Sequence, residues 1–217
     1  MSVSIQTKKA IAKGLLDIKA VFLRPDDPFT WASGIKSPIY CDNRLVYSAP
    51  AVRDIVENGF AELIKNKYPE VEALFGTSTS GIGHAAITAT ILNLPTGYVR
   101  SSAKDHGRNN QIEGRLEQGE KVVVVEDLIS TASSAIETAS ALREAGADVL
   151  GIVSIFTYEM KKGIERLKEA NVNNTSLSCF TTLSKVALAQ GYITEKEYRM
   201  VSAFQANPQD PTWIDVE

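Results

Sequence analysis

Residues that build metal centres and disulfide frameworks are scarce in this sequence. Among 217 residues there are two cysteines, Cys41 and Cys179, and two histidines, His84 and His106. These side chains are too few and too widely spaced for a zinc site, and we expect the cysteines to be free thiols. With 44% hydrophobic residues, the chain has the ordinary composition of a globular protein with a core.

Long apolar runs and a strong net charge are also missing. No segment approaches the ~20 consecutive apolar residues that span a bilayer, and residues 1–14 lack the pattern of a signal or transit peptide. The formal net charge of -3 gives no overall field that favours nucleic acid. We therefore expect a cytoplasmic protein that binds neither membranes nor nucleic acid, in which any anionic ligand meets locally placed positive charge.

What is present is an alternation of short apolar runs and helical stripes, which is typical of an α/β fold. Residues 52–64 predict a core-facing helix and residues 71–75 a strand. The valine run at 121–125 and the apolar run at 149–156 predict strands that are buried on both faces, as in a parallel sheet. Residues 101–115 are polar and glycine-bearing, and predict a mobile surface loop.

The chain shows no repeat, linker or low-complexity stretch. Thr194 followed by Glu197 predicts a capping box at the start of a last helix. We expect a single doubly wound α/β domain over residues 1–217, with its core at about 51–180 and additional elements at about 1–50.

The segment VVVVEDLISTASSA, residues 122–135, carries the strongest functional signal. Glu126 and Asp127 follow a buried strand, and a run of hydroxyl and small residues then opens a helix. Ligands of open α/β sheets lie beyond the carboxyl ends of the strands, where a helix N-terminus offers free N–H groups to a phosphate. Carboxylates beside it can accept hydrogen bonds from sugar hydroxyls. The pattern predicts a ribose 5-phosphate site, although a simple helix cap with solvated acids would produce a similar local sequence.

This segment resembles the phosphoribosyl pyrophosphate (PRPP) signature of type I phosphoribosyltransferases. Residues 28–44 (PFTWASGIKSPIYCDNR) and 98–114 (YVRSSAKDHGRNNQIEG) are similar to orotate phosphoribosyltransferases, most closely the Gram-positive form. The likeness spans roughly residues 10–190. It implies a mostly parallel doubly wound sheet with flanking helices and a small N-terminal hood, which we define as residues 1 to about 50.

The resemblance also implies a reaction, transfer of the phosphoribosyl group of PRPP to orotate, and roles for individual residues. The implied catalytic residues are Lys104, Glu126 and Asp127. The implied PRPP-binding residues are Arg100, Lys104, His106, Glu126, Asp127, Leu128, Ile129, Ser130, Thr131, Ala132, Ser133 and Ser134. The expected orotate-binding residues are Lys36, Tyr40 and Ser130, which the resemblance implies, and Arg44, which is a hypothesis explained below. Mg²⁺ is expected to be held mainly by PRPP rather than by a protein site, and a homodimer is expected in which the 101–115 loop serves the neighbouring subunit.

Two departures from the family pattern bear on the site. Ala132-Ser133 occupies a position where glycine is common, and alanine there either cramps the phosphate or changes the backbone. Thr157 replaces an arginine that holds the orotate carboxylate in other members, and our hypothesis is that Arg44 or a backbone donor takes over. Two alternatives stay open, a phosphoribosyltransferase acting on another base and a PRPP-binding regulator without catalysis. GIGHAA at residues 81–86 matches a dinucleotide fingerprint, but it stands too far from the preceding strand for that use.

Overall fold

The computed structural model describes residues 3–31, 34–101 and 111–216. Its helices are α1 (Ile5–Asp17), α2 (Pro50–Lys67), α3 (Ser80–Leu92), α4 (Ser133–Glu144), α5 (Lys161–Glu169), α6 (Phe180–Ala189) and α7 (Glu195–Ala206), with 3₁₀ turns at Asn43–Ser48 and Pro211–Asp215. Its strands are β1 (Val21–Leu23), β2 (Phe29–Thr30), β3 (Lys36–Ser37), β4 (Ile39–Cys41), β5 (Ala73–Thr77), β6 (Thr96–Val99), β7 (Ile112–Glu113), β8 (Lys121–Ile129), β9 (Asp148–Thr157) and β10 (Asn174–Cys179).

A six-stranded sheet in the order β10-β9-β8-β5-β6-β7 forms the centre of the molecule. All neighbouring strands in it are parallel except β7, which is antiparallel to β6. The sheet has a hydrophobic cluster on each face. Val123 and Val125 belong to one cluster and Val122 and Val124 to the other, all four with no exposed surface. The predicted α/β fold with a mostly parallel, doubly covered sheet is confirmed.

Several element boundaries differ from the sequence-based expectation. Strand β8 does not stop at the acids but continues to Ile129, and Leu128 and Ile129 pair with Phe156 and Thr157 of β9. These two residues therefore belong to the strand and not to the loop that follows, because β9 extends far enough to offer a pairing partner for each of them. The two-residue strand β7 was also missed, since it lies inside the segment 101–115 that was expected to be loop throughout.

The helices follow their local signals more closely. At α7, Thr194 Oγ1 accepts a hydrogen bond from the Glu197 backbone N–H and the Glu197 carboxylate accepts one from the Thr194 N–H, which confirms the predicted capping box. After α4, Gly146 has a φ of 99°, a conformation that favours glycine at the end of a helix. None of the helices in the described ranges is long and apolar enough to cross a membrane.

Two short antiparallel pairs precede the central sheet, β1 with β4 and β2 with β3. The 3₁₀ turn Asn43–Ser48 follows β4 and packs against α2 and β8. Asn43 is buried there, and its Nδ2 donates to the Asp127 carbonyl oxygen at 2.8 Å. The N-terminal region is therefore attached to the central sheet at the carboxyl end of β8, beside the predicted site.

Candidate active site

The two acids of β8 occupy different environments. Glu126 is only 4% exposed, its Oε1 accepts from the Asp127 backbone N–H at 2.8 Å and its Oε2 accepts from Ser134 Oγ at 3.0 Å. Burial, reinforced by the neighbouring Asp127 carboxylate, raises the pKa of Glu126 to about 8. Asp127 is half-buried at the surface of the same strand end. The pair thus combines one buried, proton-retaining carboxyl with one that a ligand can reach.

The loop between β8 and α4 presents the open end of a helix. Ala132 is the residue before α4 and has φ 61° and ψ 13°, the left-handed conformation that favours glycine. Alanine therefore does not force a different backbone here but adopts this one. Because a methyl group cannot accept hydrogen bonds, the first N–H groups of α4 stay open to an anionic ligand. Thr131 Oγ1 and Ser133 Oγ lie 3.2 Å apart at the same end of the helix.

A second loop, residues 77–80, joins β5 to α3 beside the first. Thr77 is buried and Ser78 Oγ donates to the Val99 carbonyl oxygen at 2.6 Å. A Cβ added to Gly81 would lie 2.3 Å from the Val125 carbonyl oxygen, so only glycine lets α3 lie this close to β8. The loop backbone is thereby fixed against the strand that carries the acids.

His84 in α3 is fully buried in a cluster of polar and aromatic side chains. Its Nδ1 lies 2.6 Å from Glu57 Oε1, and Thr88 Oγ1 donates to Glu57 Oε2 at 2.9 Å. His84 and Glu57 have 0% and 1% exposure. Tyr47 stacks on the His84 ring at 4.4 Å, and its hydroxyl donates to the Ser80 carbonyl oxygen. Through Tyr47, this buried cluster is hydrogen-bonded to the end of the 77–80 loop.

Arg100 follows β6, which is separated from the acid-bearing strand β8 by β5. Its side chain is 27% exposed, and its Nη1 lies 3.9 Å from Glu113 Oε1. Arg100, Ser78 and Ser134 border one cleft of about 390 Å³. The structure therefore brings a cation, the 77–80 loop and the start of α4 to a common space. The predicted residues Lys104 and His106 lie outside the described ranges.

Of the residues predicted to bind the base, Arg44 is already paired. Its Nε donates to Asp42 Oδ1 at 2.6 Å and its Nη2 to Asp42 Oδ2 at 2.7 Å. This fork lowers the pKa of the Asp42 carboxyl. The Arg44 side chain is 66% exposed, so the pair lies at the surface of the hood.

Lys36 and Tyr40 are likewise exposed members of the hood. Lys36 Nζ donates to Thr30 Oγ1 at 2.7 Å, and the Tyr40 ring, 42% exposed, lies 5.4 Å from that of Phe29. The described contacts of both residues are thus with other hood residues. Ser130, the fourth predicted base contact, lies at the carboxyl end of β8 instead.

Comparison with known proteins decides the family. A family model described as the phosphoribosyl transferase domain matches residues 45–183, which include β8, both loops and α4. The orotate phosphoribosyltransferase of Bacillus cytotoxicus is 58% identical over 207 residues, covering 95% of this chain and 99% of that relative. The chain belongs to the orotate phosphoribosyltransferase family.

Solved structures agree with that membership. The orotate phosphoribosyltransferase of Aeropyrum pernix superposes with a TM-score of 0.73 at 27% identity, covering 85% of this chain and 99% of the other. The UMP synthase of Leishmania donovani gives a TM-score of 0.77 at 25% identity, covering 92% of this chain but only 42% of that longer chain. The family and the fold expected from the sequence are both confirmed.

Two residues that the sequence did not single out join the hood to the central sheet beside the site. Asn43 ties the hood to Asp127, and its Oδ1 accepts from Cys41 Sγ at 3.2 Å. Tyr158 is 8% exposed and its ring lies 5.6 Å from that of Trp31, so it packs the hood onto the end of β9. Burial raises the pKa of the Tyr158 hydroxyl. The sequence pointed to Asn43 only through its place in the 28–44 segment. No local pattern distinguishes it there from its neighbour Arg44.

Thr157, which the resemblance places where other members of the family carry an arginine, is engaged with the backbone in this structure. Its Oγ1 accepts from the Glu159 N–H at 3.0 Å. Thr157 and Ser130 border a second cleft, of about 520 Å³, on the α5 side of the sheet. A short neutral side chain lacks the paired N–H donors with which an arginine holds a carboxylate, so Thr157 cannot act in that way.

Proposed function

We propose that this chain transfers the 5-phosphoribosyl group of PRPP to orotate, giving orotidine 5′-monophosphate and pyrophosphate in de novo UMP synthesis. One observation carries the proposal: Glu126 and Asp127 lie near the carboxyl end of β8, which leads through residues 130–132 to the open N-terminus of α4. Acceptors for sugar hydroxyls and donors for a phosphate thus lie side by side, with Ser134 at the start of α4 in contact with Glu126. The names of the related enzymes supply the base, orotate.

In this scheme the protein acts by positioning and by charge. The N–H groups and hydroxyls of residues 130–134 bind the 5′-phosphate, while Asp127, with Glu126 behind it, accepts hydrogen bonds from the ribose hydroxyls. The transition state resembles an oxocarbenium ion, as in glycosidic bond cleavage. Arg100, together with Lys104 and His106, stabilises the charge that builds on the departing pyrophosphate.

Mg²⁺ belongs to the proposal as a metal that arrives with the substrate. Within the part of the chain that the structure describes, no group of three or more His, Cys, Asp or Glu could hold a metal ion. Mg²⁺ suits such a site, because it retains several waters and binds largely through substrate phosphates. When bound, it would offset negative charge on the pyrophosphate.

On the base side we propose that orotate lies between Ser130 and the hood residues Lys36 and Tyr40. Arg44 is the proposed partner of the orotate carboxylate, and it must then exchange Asp42 for the ligand. Since ion pairs at such exposure contribute only about 0–1 kcal/mol, this exchange costs little.

We further propose a cytoplasmic homodimer in which the segment with Lys104 and His106 serves the neighbouring subunit, without nucleic acid or membrane partners. Leu45, Ile55 and Ile91 are 40%, 42% and 45% exposed on the 3₁₀ turn, α2 and α3, elements that pack on one another in series. Exposed apolar side chains on adjoining elements favour an interface with another chain. Mixing Lys104→Ala with Asp127→Asn subunits tests the arrangement, because one intact site per mixed dimer restores activity only if the loop acts in trans.

The test of the activity is a spectrophotometric assay of orotate consumption with PRPP and Mg²⁺. Turnover of orotate supports the proposal. Turnover with a purine base and none with orotate would assign another base. PRPP binding by calorimetry without turnover of any base would make the chain a PRPP-binding regulator.

A further inference from the structure

Helix α5 lies directly against the phosphate loop, residues 130–134, although it follows the next strand of the sheet. A Cβ added to Gly163 would lie 2.3 Å from the Ser130 carbonyl oxygen. Only glycine permits this approach, so the first turn of α5 touches the loop backbone itself. A residue three positions further along the helix lies on the same face.

That residue is Arg166, and it reaches the loop. Its Nη1 donates to Ser133 Oγ at 2.5 Å and lies 3.4 Å from the Thr131 carbonyl oxygen. The side chain is half-buried. Residues 130–134 contain no cationic residue of their own, so α5 brings a positive charge to a loop that lacks one.

The direction of the hydrogen bond fixes the role of Ser133. A guanidinium can only donate, so it occupies a lone pair of Ser133 Oγ and leaves the serine O–H free to donate elsewhere. The available acceptors are Thr131 Oγ1, at 3.2 Å, or an oxygen of a bound phosphate. Arg166 thereby keeps the Ser133 hydroxyl oriented as a donor at the N-terminus of α4.

We propose that Arg166 is a positioning residue of the 5′-phosphate site, which orients the Ser133 hydroxyl and adds positive charge to the loop. The inference rests on the proposed function, since it assumes that residues 130–134 hold the 5′-phosphate of PRPP. It goes beyond that function in giving α5 a part in substrate binding.

The experiment compares Arg166→Ala with Arg143→Ala by calorimetric titration with PRPP and, separately, with pyrophosphate, both with Mg²⁺. Arg143 is a matched control, because it donates to the carbonyl oxygens of Ala170 and Asn171 beyond the other end of α5 and has no described contact with the loop. We expect Arg166→Ala to weaken PRPP binding about tenfold, as for loss of a charge-assisted hydrogen bond. Pyrophosphate, which lacks the 5′-phosphate, should bind within about twofold of wild type, and Arg143→Ala should leave both affinities unchanged.

A double-mutant cycle separates positioning from general support of the fold. If Arg166 acts through Ser133, then adding Ser133→Ala to Arg166→Ala should cost less than the sum of the single changes. Arg166→Lys, which keeps the charge without the fork, should recover part of the PRPP affinity.

The inference fails if Arg166→Ala binds PRPP as wild type does, if it weakens pyrophosphate equally, or if Arg143→Ala produces the same loss. Fully additive effects of Arg166→Ala and Ser133→Ala would also contradict it. Absence of PRPP binding by the wild-type protein would instead remove the proposed function, and this inference with it.

Discussion

The two sides of the candidate site are built on different principles. On the sugar-phosphate side, Glu126 is 4% exposed and held by two hydrogen bonds, and the loop after it is fixed between β8 and α4. On the base side, Tyr40 is 42% exposed, and Arg44 is paired with its near neighbour Asp42. One side is preorganised by the sheet, whereas the other consists of surface side chains that can change partners.

This difference predicts where substitutions have large effects. A group held in place by buried backbone cannot be replaced by a neighbour, and its loss leaves the ligand without a partner. An exposed pair contributes little and can be exchanged at small cost. Changes around β8 should therefore reduce activity or stability strongly, and changes in the hood only weakly.

The largest effect is expected for Asp127→Asn. Loss of the charged acceptor at the ribose hydroxyls should lower kcat/KM for PRPP by roughly a hundred- to a thousandfold, comparable to loss of one preorganised electrostatic contact. Asp148→Asn is the control, because it removes an exposed carboxylate at the amino end of the neighbouring strand β9. Steady-state kinetics of both variants measure these values. Equal losses of kcat/KM in Asp127→Asn and Asp148→Asn would show that the carboxyl end of the sheet has no special part in PRPP binding.

The second largest effect is expected for substitutions of Ala132, and it concerns the stability of the fold. Its φ of 61° is tolerated by alanine but is far worse for a β-branched side chain. Ala132→Val should lower the free energy of unfolding by about 1–3 kcal/mol. Ala132→Gly relieves the strain but adds freedom to the unfolded chain, so its net change should stay within about 1 kcal/mol.

Urea unfolding of both Ala132 variants measures these changes. If valine is tolerated as well as glycine, the loop is not held in the left-handed conformation. The loop on the sugar-phosphate side would then not be preorganised, and the two sides of the site would not differ in this respect.

The same contrast explains what could be predicted from the sequence. The position of Glu126 and Asp127 near the carboxyl end of a strand follows from the local pattern, because an apolar run leads into the acids and a helix starts soon after them. The pairing of Arg44 with Asp42 and the contact of Asn43 with Asp127 depend on how hood and core meet, which no local pattern encodes. The end of β8 was misjudged for a similar reason, since Leu128 and Ile129 remain in the strand only because β9 pairs with them.

The buried carboxyl should also be visible in the pH dependence of stability. The pKa of Glu126 is raised from 4.5 to about 8 in the folded protein, so the folded state holds this proton where the unfolded state releases it. The stabilisation from this group is complete below pH 4.5 and is lost as the pH rises towards 8. Its contribution to the slope is at most about 1.4 kcal/mol per pH unit.

Urea unfolding between pH 5 and 8 compares wild type with Glu126→Gln, whose amide resembles the protonated acid and cannot ionise. The free energy of unfolding of wild type should fall relative to that of the variant as the pH rises. Glu169→Gln, at the exposed end of α5, controls for loss of a surface carboxyl group. Parallel curves for wild type and Glu126→Gln would show that burial does not hold the proton.

The smallest effect is expected on the base side of the site. The exposed ion pair of Arg44 and Asp42 can be tested there by substituting each partner in turn. If Arg44 exchanges Asp42 for the orotate carboxylate, one ion pair replaces another, and Arg44→Ala should raise the KM for orotate by only about two- to fivefold. Asp42→Asn frees the guanidinium before the ligand arrives, so it should lower that KM slightly. An unchanged KM in Arg44→Ala excludes Arg44 and leaves a backbone donor as the partner. A rise far above this range would instead mean that the hood side is as preorganised as the end of β8, because an exchangeable surface pair cannot produce it.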